Sequence, residues 1–189
     1  MSSELKAIQT DLKKLSNPDT VGFIKKIAPG AEKVYGVKMP AINELVKKYR
    51  SHGFELIKEL WKSGAFEERI LAAKILEKTA KTDPALALKL VKEFSADISN
   101  WAVCDAIGMQ SLRSLVKTHT QEIFDLANTL GKSSDPWKIR LSLVLVEWYT
   151  REPSQHKAIH YLLRNAEKQD HYYVKKAIDW LKRNLQKKK

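Results

Sequence analysis

Apolar residues recur every three to four positions along most of the chain. Leu5, Ile8, Leu12 and Leu15 form the first such stripe, and Asn17-Pro18 breaks it. A short helix is predicted over 20–27, stopped by Pro29-Gly30. Tyr35-Gly36-Val37-Lys38-Met39-Pro40 reads as a loop, with Pro40 placed to open a helix over 41–49. Gly53 separates that helix from one over 54–61, which Ser63-Gly64 ends. From Ala65 the pattern becomes regular and predicts helices over 66–79, 84–94, 101–116, 121–130, 137–149, 155–166 and 172–185. No stretch alternates with period two over a convincing length, so the fold class is all-α.

The later helices repeat. Phe66, Trp101, Trp137 and Tyr173 each begin an apolar helix, at intervals of 35, 36 and 36 residues (66 to 101, 101 to 137, 137 to 173). Two helices per unit at this period is the signature of a HEAT-like helical-repeat solenoid, in which each unit buries its apolar stripe against its neighbours. Asp83-Pro84 and Asp135-Pro136 are helix-start signals, and Ser99 or Asn100 is placed to cap the helix that begins at Trp101.

Aligning the units on their leading aromatic isolates the unusual positions. Four residues on stand Ile70, Asp105, Leu141 and Ala177; seven residues on stand Ala73, Gly108, Val144 and Trp180. Asp105 therefore occupies a column that is apolar in every other unit. A carboxylate there loses hydration and adds nothing to packing, so stability alone does not explain it. It also lies one turn after Trp101, on the same helical face.

Composition narrows the function. The chain has 189 residues, a length that suits one domain spanning 1–189. Lys and Arg number 34 against 22 Asp and Glu, a formal charge of +12, which points first to a polyanion such as nucleic acid. The alternative is a basic protein whose lysines coat solvated helix faces. Cys104 is the single cysteine, which excludes a disulfide framework and a thiolate metal site. No apolar run is long enough to span a bilayer and no signal-peptide pattern opens the chain, so a reducing cytoplasm is the expected location. His156 and His160 have i,i+4 spacing but no third ligand beside them, so no metal is expected. The position of Cys104 in its repeat suggests packing, and no Gly-rich phosphate loop is present.

Four motifs resemble the DNA alkylation repair glycosylases of the AlkD type. They are Tyr35-Gly36-Val37-Lys38-Met39-Pro40, Trp101 with Asp105, Trp137-Lys138-Ile139-Arg140, and Lys176-Ala177-Ile178-Asp179-Trp180-Leu181-Lys182-Arg183. The residues following Trp101 are less polar than is usual in that family. The resemblance implies a solenoid that removes cationic N3- or N7-alkylated purines from duplex DNA, with no cofactor and as a monomer. It implies catalytic roles for Asp105, Trp101 and Trp180, with Arg140 in the same cleft.

The chemistry is consistent with a single acid. Most glycosidases need two carboxyl groups, one to protonate the leaving group. An alkylated purine is already cationic and departs neutral, so one carboxylate that stabilises the sugar cation or orients water is enough. On this reading the indoles of Trp101 and Trp180 face the cationic nucleotide. Arg140 is read as a phosphate ligand, and Lys175, Lys176, Lys182 and Arg183 with the terminal lysines track the DNA backbone. Two other readings stay open: a module of the same fold that grips distorted or branched DNA without chemistry, and a protein-interaction scaffold in which Asp105 is incidental.

Overall fold

The computed structural model describes residues 1–187. Its eleven α-helices are α1 (Ser3–Lys14), α2 (Pro18–Ile27), α3 (Met39–Tyr49), α4 (Gly53–Lys62), α5 (Phe66–Thr79), α6 (Pro84–Phe94), α7 (Trp101–Ala106), α8 (Thr120–Gly131), α9 (Pro136–Leu145), α10 (His156–Ala166) and α11 (Tyr172–Leu185). Among the described residues there is no strand. The expected caps form: Asp83, Asn100 and Asp135 accept backbone N–H bonds from Leu86, Val103 and Trp137 at 2.9, 3.0 and 2.8 Å. Each satisfies a donor that the first helical turn would otherwise leave unpaired.

The helices stack in two rows, as a solenoid requires. In one row α3 packs on α5, α5 on α7, α7 on α9 and α9 on α11; in the other, α6 packs on α8 and α8 on α10. The rows are joined through α4 with α5, α8 with α9, and α10 with α11. The aligned column is buried where it is apolar, with Ile70, Leu141 and Ala177 all inside. No helix among the described residues is long and apolar enough to cross a membrane.

Two helices are shorter than the pattern predicts. The run expected over 101–116 is α-helical only to Ala106, then widens into a π turn over Ile107–Ser111 and tightens to a 3₁₀ turn over Arg113–Leu115. Gly108 sits so close to α9 that an added Cβ would lie 2.5 Å from Val144 Cγ1. The indole Nε1 of Trp148 donates to the Met109 carbonyl at 3.1 Å, satisfying from outside a group that a continuing helix would use itself. The run expected over 137–149 likewise ends at Leu145, and its remainder forms the 3₁₀ turn Glu147–Arg151 that carries Trp148.

The loop before α3 is held by a carboxylate. Glu67, buried in α5, accepts the backbone N–H groups of Tyr35, Gly36 and Val37 at 2.9, 2.7 and 3.1 Å. Gly36, at φ +81, brings this loop against α2, where a Cβ would come within 2.4 Å of the Asn17 carbonyl. Helix α2 buries only Ile24, so the connections at its two ends hold it in place. It forms one wall of the site.

Candidate active site

A groove of about 790 Å³ runs between α2 and the row containing α5 and α7. Phe23 and Ile27 line it from α2, Met39 from the start of α3, and Trp101, Asp105 and Met109 from α7 and its π turn. The walls are largely apolar, and Phe23 and Met39 are 60% and 45% exposed. Trp101 and Asp105 face this groove together, as their spacing on one helical face requires. The Trp101 Nε1 donates to the Ile27 carbonyl at 2.7 Å, closing the C-terminal end of α2 onto α7.

Asp105 is held by Arg140. The Arg140 Nε donates to Asp105 Oδ1 at 3.1 Å, and its Nη2 donates to Oδ1 and Oδ2 at 2.8 and 3.0 Å. Its Nη1 donates to the Tyr173 carbonyl at 2.6 Å. The Arg140 side chain is 8% exposed and that of Asp105 31% exposed, so the pair sits at the groove floor with the carboxylate toward solvent. Loss of hydration pushes the Asp105 carboxyl above the ordinary aspartate value, and the guanidinium opposes that shift. Instead of the free phosphate ligand suggested by the sequence, Arg140 is a buried residue that orients Asp105. The pairing also gives Asp105 a structural contact that the column comparison did not include.

The remaining candidates are dispersed. Trp180 lines no part of the Asp105 groove; it borders a second cavity with Glu147 and Asn184. Arg140 meets α11 at Tyr173, and Trp180 lies seven residues further along that helix, roughly 10 Å at 1.5 Å per residue. Trp101 and Asp105 thus line the groove with Arg140 beneath them, and Trp180 borders the cavity further along α11. Lys175, Lys176, Lys182 and Arg183 are exposed on α11. Lys175 pairs with Asp170, Lys182 with Glu167 at 2.6 Å, and Lys176 lies 5.4 Å from the Tyr172 ring centroid. Lys188 and Lys189 lie outside the described residues.

The leading aromatics divide into core and site. Phe66 is buried at the groove wall and Trp137 and Tyr173 stack at 5.3 Å, whereas Trp101 lines the groove one helical turn from an acid. Burial pushes the Cys104 thiol far up, which leaves it inert. Among the described residues no group of three or more His, Cys, Asp or Glu side chains is arranged to hold a metal ion. Sequence reasoning missed Phe23, Ile27 and Met109 as groove residues. Phe23, Ile24 and Ile27, on one side of α2, were the sequence signal for an apolar wall.

A helical solenoid with a tryptophan–aspartate pair in an open groove defines the class of protein. A family model described as "DNA alkylation repair enzyme" matches residues 8–189, nearly the whole chain. The chain belongs to that family, which places it among enzymes of DNA alkylation repair. Comparison with curated proteins returned no match.

Proposed function

We propose that this protein is a DNA glycosylase that hydrolyses the N-glycosidic bond of N3- and N7-alkylated purines in duplex DNA. The observation that carries the reading is Asp105: a carboxylate on the floor of an open groove, fixed by the Arg140 guanidinium and adjacent to the Trp101 indole. As the C1′–N bond breaks, its electron pair moves onto the base and neutralises the ring, while positive charge moves to the sugar. The Asp105 carboxylate stabilises that charge and orients the water whose oxygen bonds to C1′. The displaced water proton passes to Asp105 or to solvent. Trp101 offers a π face to the cationic nucleotide, an interaction of about 0.5–2 kcal/mol depending on desolvation. Arg140 positions the acid and does not touch substrate.

Duplex DNA is bound through its phosphates by exposed cations, with Lys175, Lys176, Lys182 and Arg183 on α11 as contributors and the +12 charge as the driving field. Trp180, half-exposed on α11, offers a further π face to the bound DNA.

The test is single-turnover release of 7-methylguanine from methylated duplex DNA by Asp105→Asn, with thermal unfolding measured on the same samples. Loss of one electrostatic stabiliser should lower the rate on the order of 10²–10³. The variant leaves the buried Arg140 guanidinium without its counter-charge, so stability should fall by about 3–5 kcal/mol, and rates are compared at a temperature where the variant is folded. Wild-type release rates from a fully folded variant would remove Asp105 from the mechanism. Absence of release by the unmodified protein, with salt-sensitive DNA binding intact, would make it a DNA-binding member without chemistry.

A further inference from the structure

A smaller, polar cavity of about 230 Å³ lies beside the Asp105 groove, and Phe66 lines both. Its charged lining residues are Lys33, Arg69 and the exposed Glu32, so its net charge is positive. Arg69 stands in α5 at the repeat position that Arg140 holds in α9, three residues after the leading aromatic. Arg140 is neutralised by Asp105, whereas the groups that hold Arg69 are uncharged. Its Nη1 donates to the Asp97 carbonyl at 2.7 Å and its Nε to the Trp61 carbonyl at 3.5 Å. The guanidinium carbon lies 4.9 Å from the Trp61 ring centroid, and that ring stacks on Phe94 at 4.4 Å. The Asp97 carboxylate accepts from Trp61 Nε1 at 2.9 Å. The guanidinium is therefore fixed in place before any ligand arrives. Its Nη2 lies 3.9 Å from where a Gly64 Cβ would stand, and both residues line the cavity. Burial disfavours the Arg69 charge, and the field of Asp97 opposes that effect without cancelling it.

We infer that this cavity seats a backbone phosphate of the damaged strand, close to the nucleotide that lies over Asp105, with Arg69 as its ligand and Lys33 at the rim. A guanidinium carries five N–H donors, and the two carbonyls take two of Arg69's. A cation that has lost part of its hydration and is held by neutral groups gains from an anion, and the planar fork matches phosphate oxygens. Place is the second argument. Asn100 lines the cavity and Trp101 the groove. Successive Cα atoms are about 3.8 Å apart, and a DNA strand rises about 3.4 Å per nucleotide. A strand with its altered nucleotide in the groove thus passes the cavity within a few linkages. Base and sugar meet the apolar groove, and the anion meets the polar cavity. The exposed lysines of α11 lie two helices further along the row, so this contact is separate from theirs. The inference rests on the DNA-binding reading but not on chemistry at Asp105.

The experiment is a scan of DNA binding by fluorescence anisotropy. The full chain is titrated with duplexes that carry a tetrahydrofuran abasic site, which fixes the register and cannot be excised. Each duplex also carries one uncharged methylphosphonate, moved linkage by linkage around that site. At the linkage that enters the cavity, neutralisation should weaken binding about tenfold, the loss of one charge-assisted contact. Arg69→Gln should weaken the unsubstituted duplex by a similar factor and erase the penalty at that linkage, because the contact is already gone. Lys33→Ala, at an exposed position, should reduce the penalty and lower the salt slope by ~0.9, and it carries the test if Arg69→Gln does not fold. A penalty unchanged in both variants, or a scan in which no linkage stands out, overturns the inference and leaves DNA binding in place. No DNA binding by the unmodified protein overturns it together with the DNA-binding reading. A flat scan with a melting temperature raised by inorganic phosphate over chloride at equal ionic strength, and not raised in Lys33→Ala, assigns the cavity to a free anion and overturns the strand assignment.

Discussion

Replacing Arg140 by Met tests whether the arginine orients an acid or grips a phosphate. The substitution keeps the aliphatic stem and removes three contacts to Asp105 and one to Tyr173. Breaking a buried ion pair by removing one partner costs about 3–5 kcal/mol. Here the stranded carboxylate keeps 31% of its exposure and can take up a proton, so a loss of about 2–3 kcal/mol is expected at pH 8. As pH falls below the raised Asp105 value the acid becomes neutral, only the neutral hydrogen bonds differ, and the loss should shrink to about 1 kcal/mol.

The sign follows from linkage. Asp105 is already harder to ionise in the folded protein than in the unfolded chain. Its contribution to stability is therefore complete below the ordinary aspartate value and is lost as pH rises through the raised one. Removing the guanidinium raises that folded value further and widens the window. Stability from urea unfolding and single-turnover base release should be followed together between pH 4 and pH 8. In Arg140→Met the acid limb of the rate profile moves to higher pH, and the stability deficit grows with pH. A phosphate ligand predicts something else: a rate lowered equally at every pH, with the slope of log K against log salt reduced by ~0.9. That second pattern would refute the orienting role.

Four further variants probe the groove and the DNA surface. Trp101→Phe keeps a π face but removes the 2.7 Å bond to the Ile27 carbonyl, so stability should fall by about 0.5–1.5 kcal/mol and amide exchange should rise along α2. Trp101→Leu should lose in addition a factor of roughly 2–30 in base release, the equivalent of one cation–π contact. Glu67→Ala leaves three loop N–H groups unpaired around a buried site, and chemical denaturation should record a loss of about 3–5 kcal/mol. The double change Lys176→Ala with Arg183→Ala should lower the salt slope for undamaged duplex by ~1.8 if both touch phosphate, and leave it unchanged if both are only solvated.

The sequence carried the helices, their repeat and the Asp105 exception, because each is written in local spacing. Column burial follows from period alone, which is why Ile70, Leu141 and Ala177 lie inside as their positions require. The partner of Asp105 was not legible in the same way. Arg140 stands one residue before the aligned column, and alignment on the leading aromatics fixes the face of each helix but not which side chains meet across neighbouring helices. The apolar wall was hidden for a different reason: α2 precedes the regular repeats and has no column to be compared with.

Trp180 shows how far repeat arithmetic reaches. It and Asp105 both break their columns, and the family resemblance implies one cleft for them; a broken column by itself gives a residue's phase around the helix and not its place along the stack. Helices α7, α9 and α11 follow one another in the same row. Packed neighbours lie about 8–10 Å apart, so two repeats separate α7 from α11 by roughly 16–20 Å. Asp105 stands four residues past its leading aromatic and Trp180 seven past its own, which adds about 4.5 Å along the helix axis. Those are axis separations, and the side chains between them close the gap: one Arg140 guanidinium bonds both Asp105 and the Tyr173 carbonyl of α11. Repeat arithmetic therefore gives the order of α7, α9 and α11 along the row, while the contacts of Arg140 give how closely the acid approaches α11.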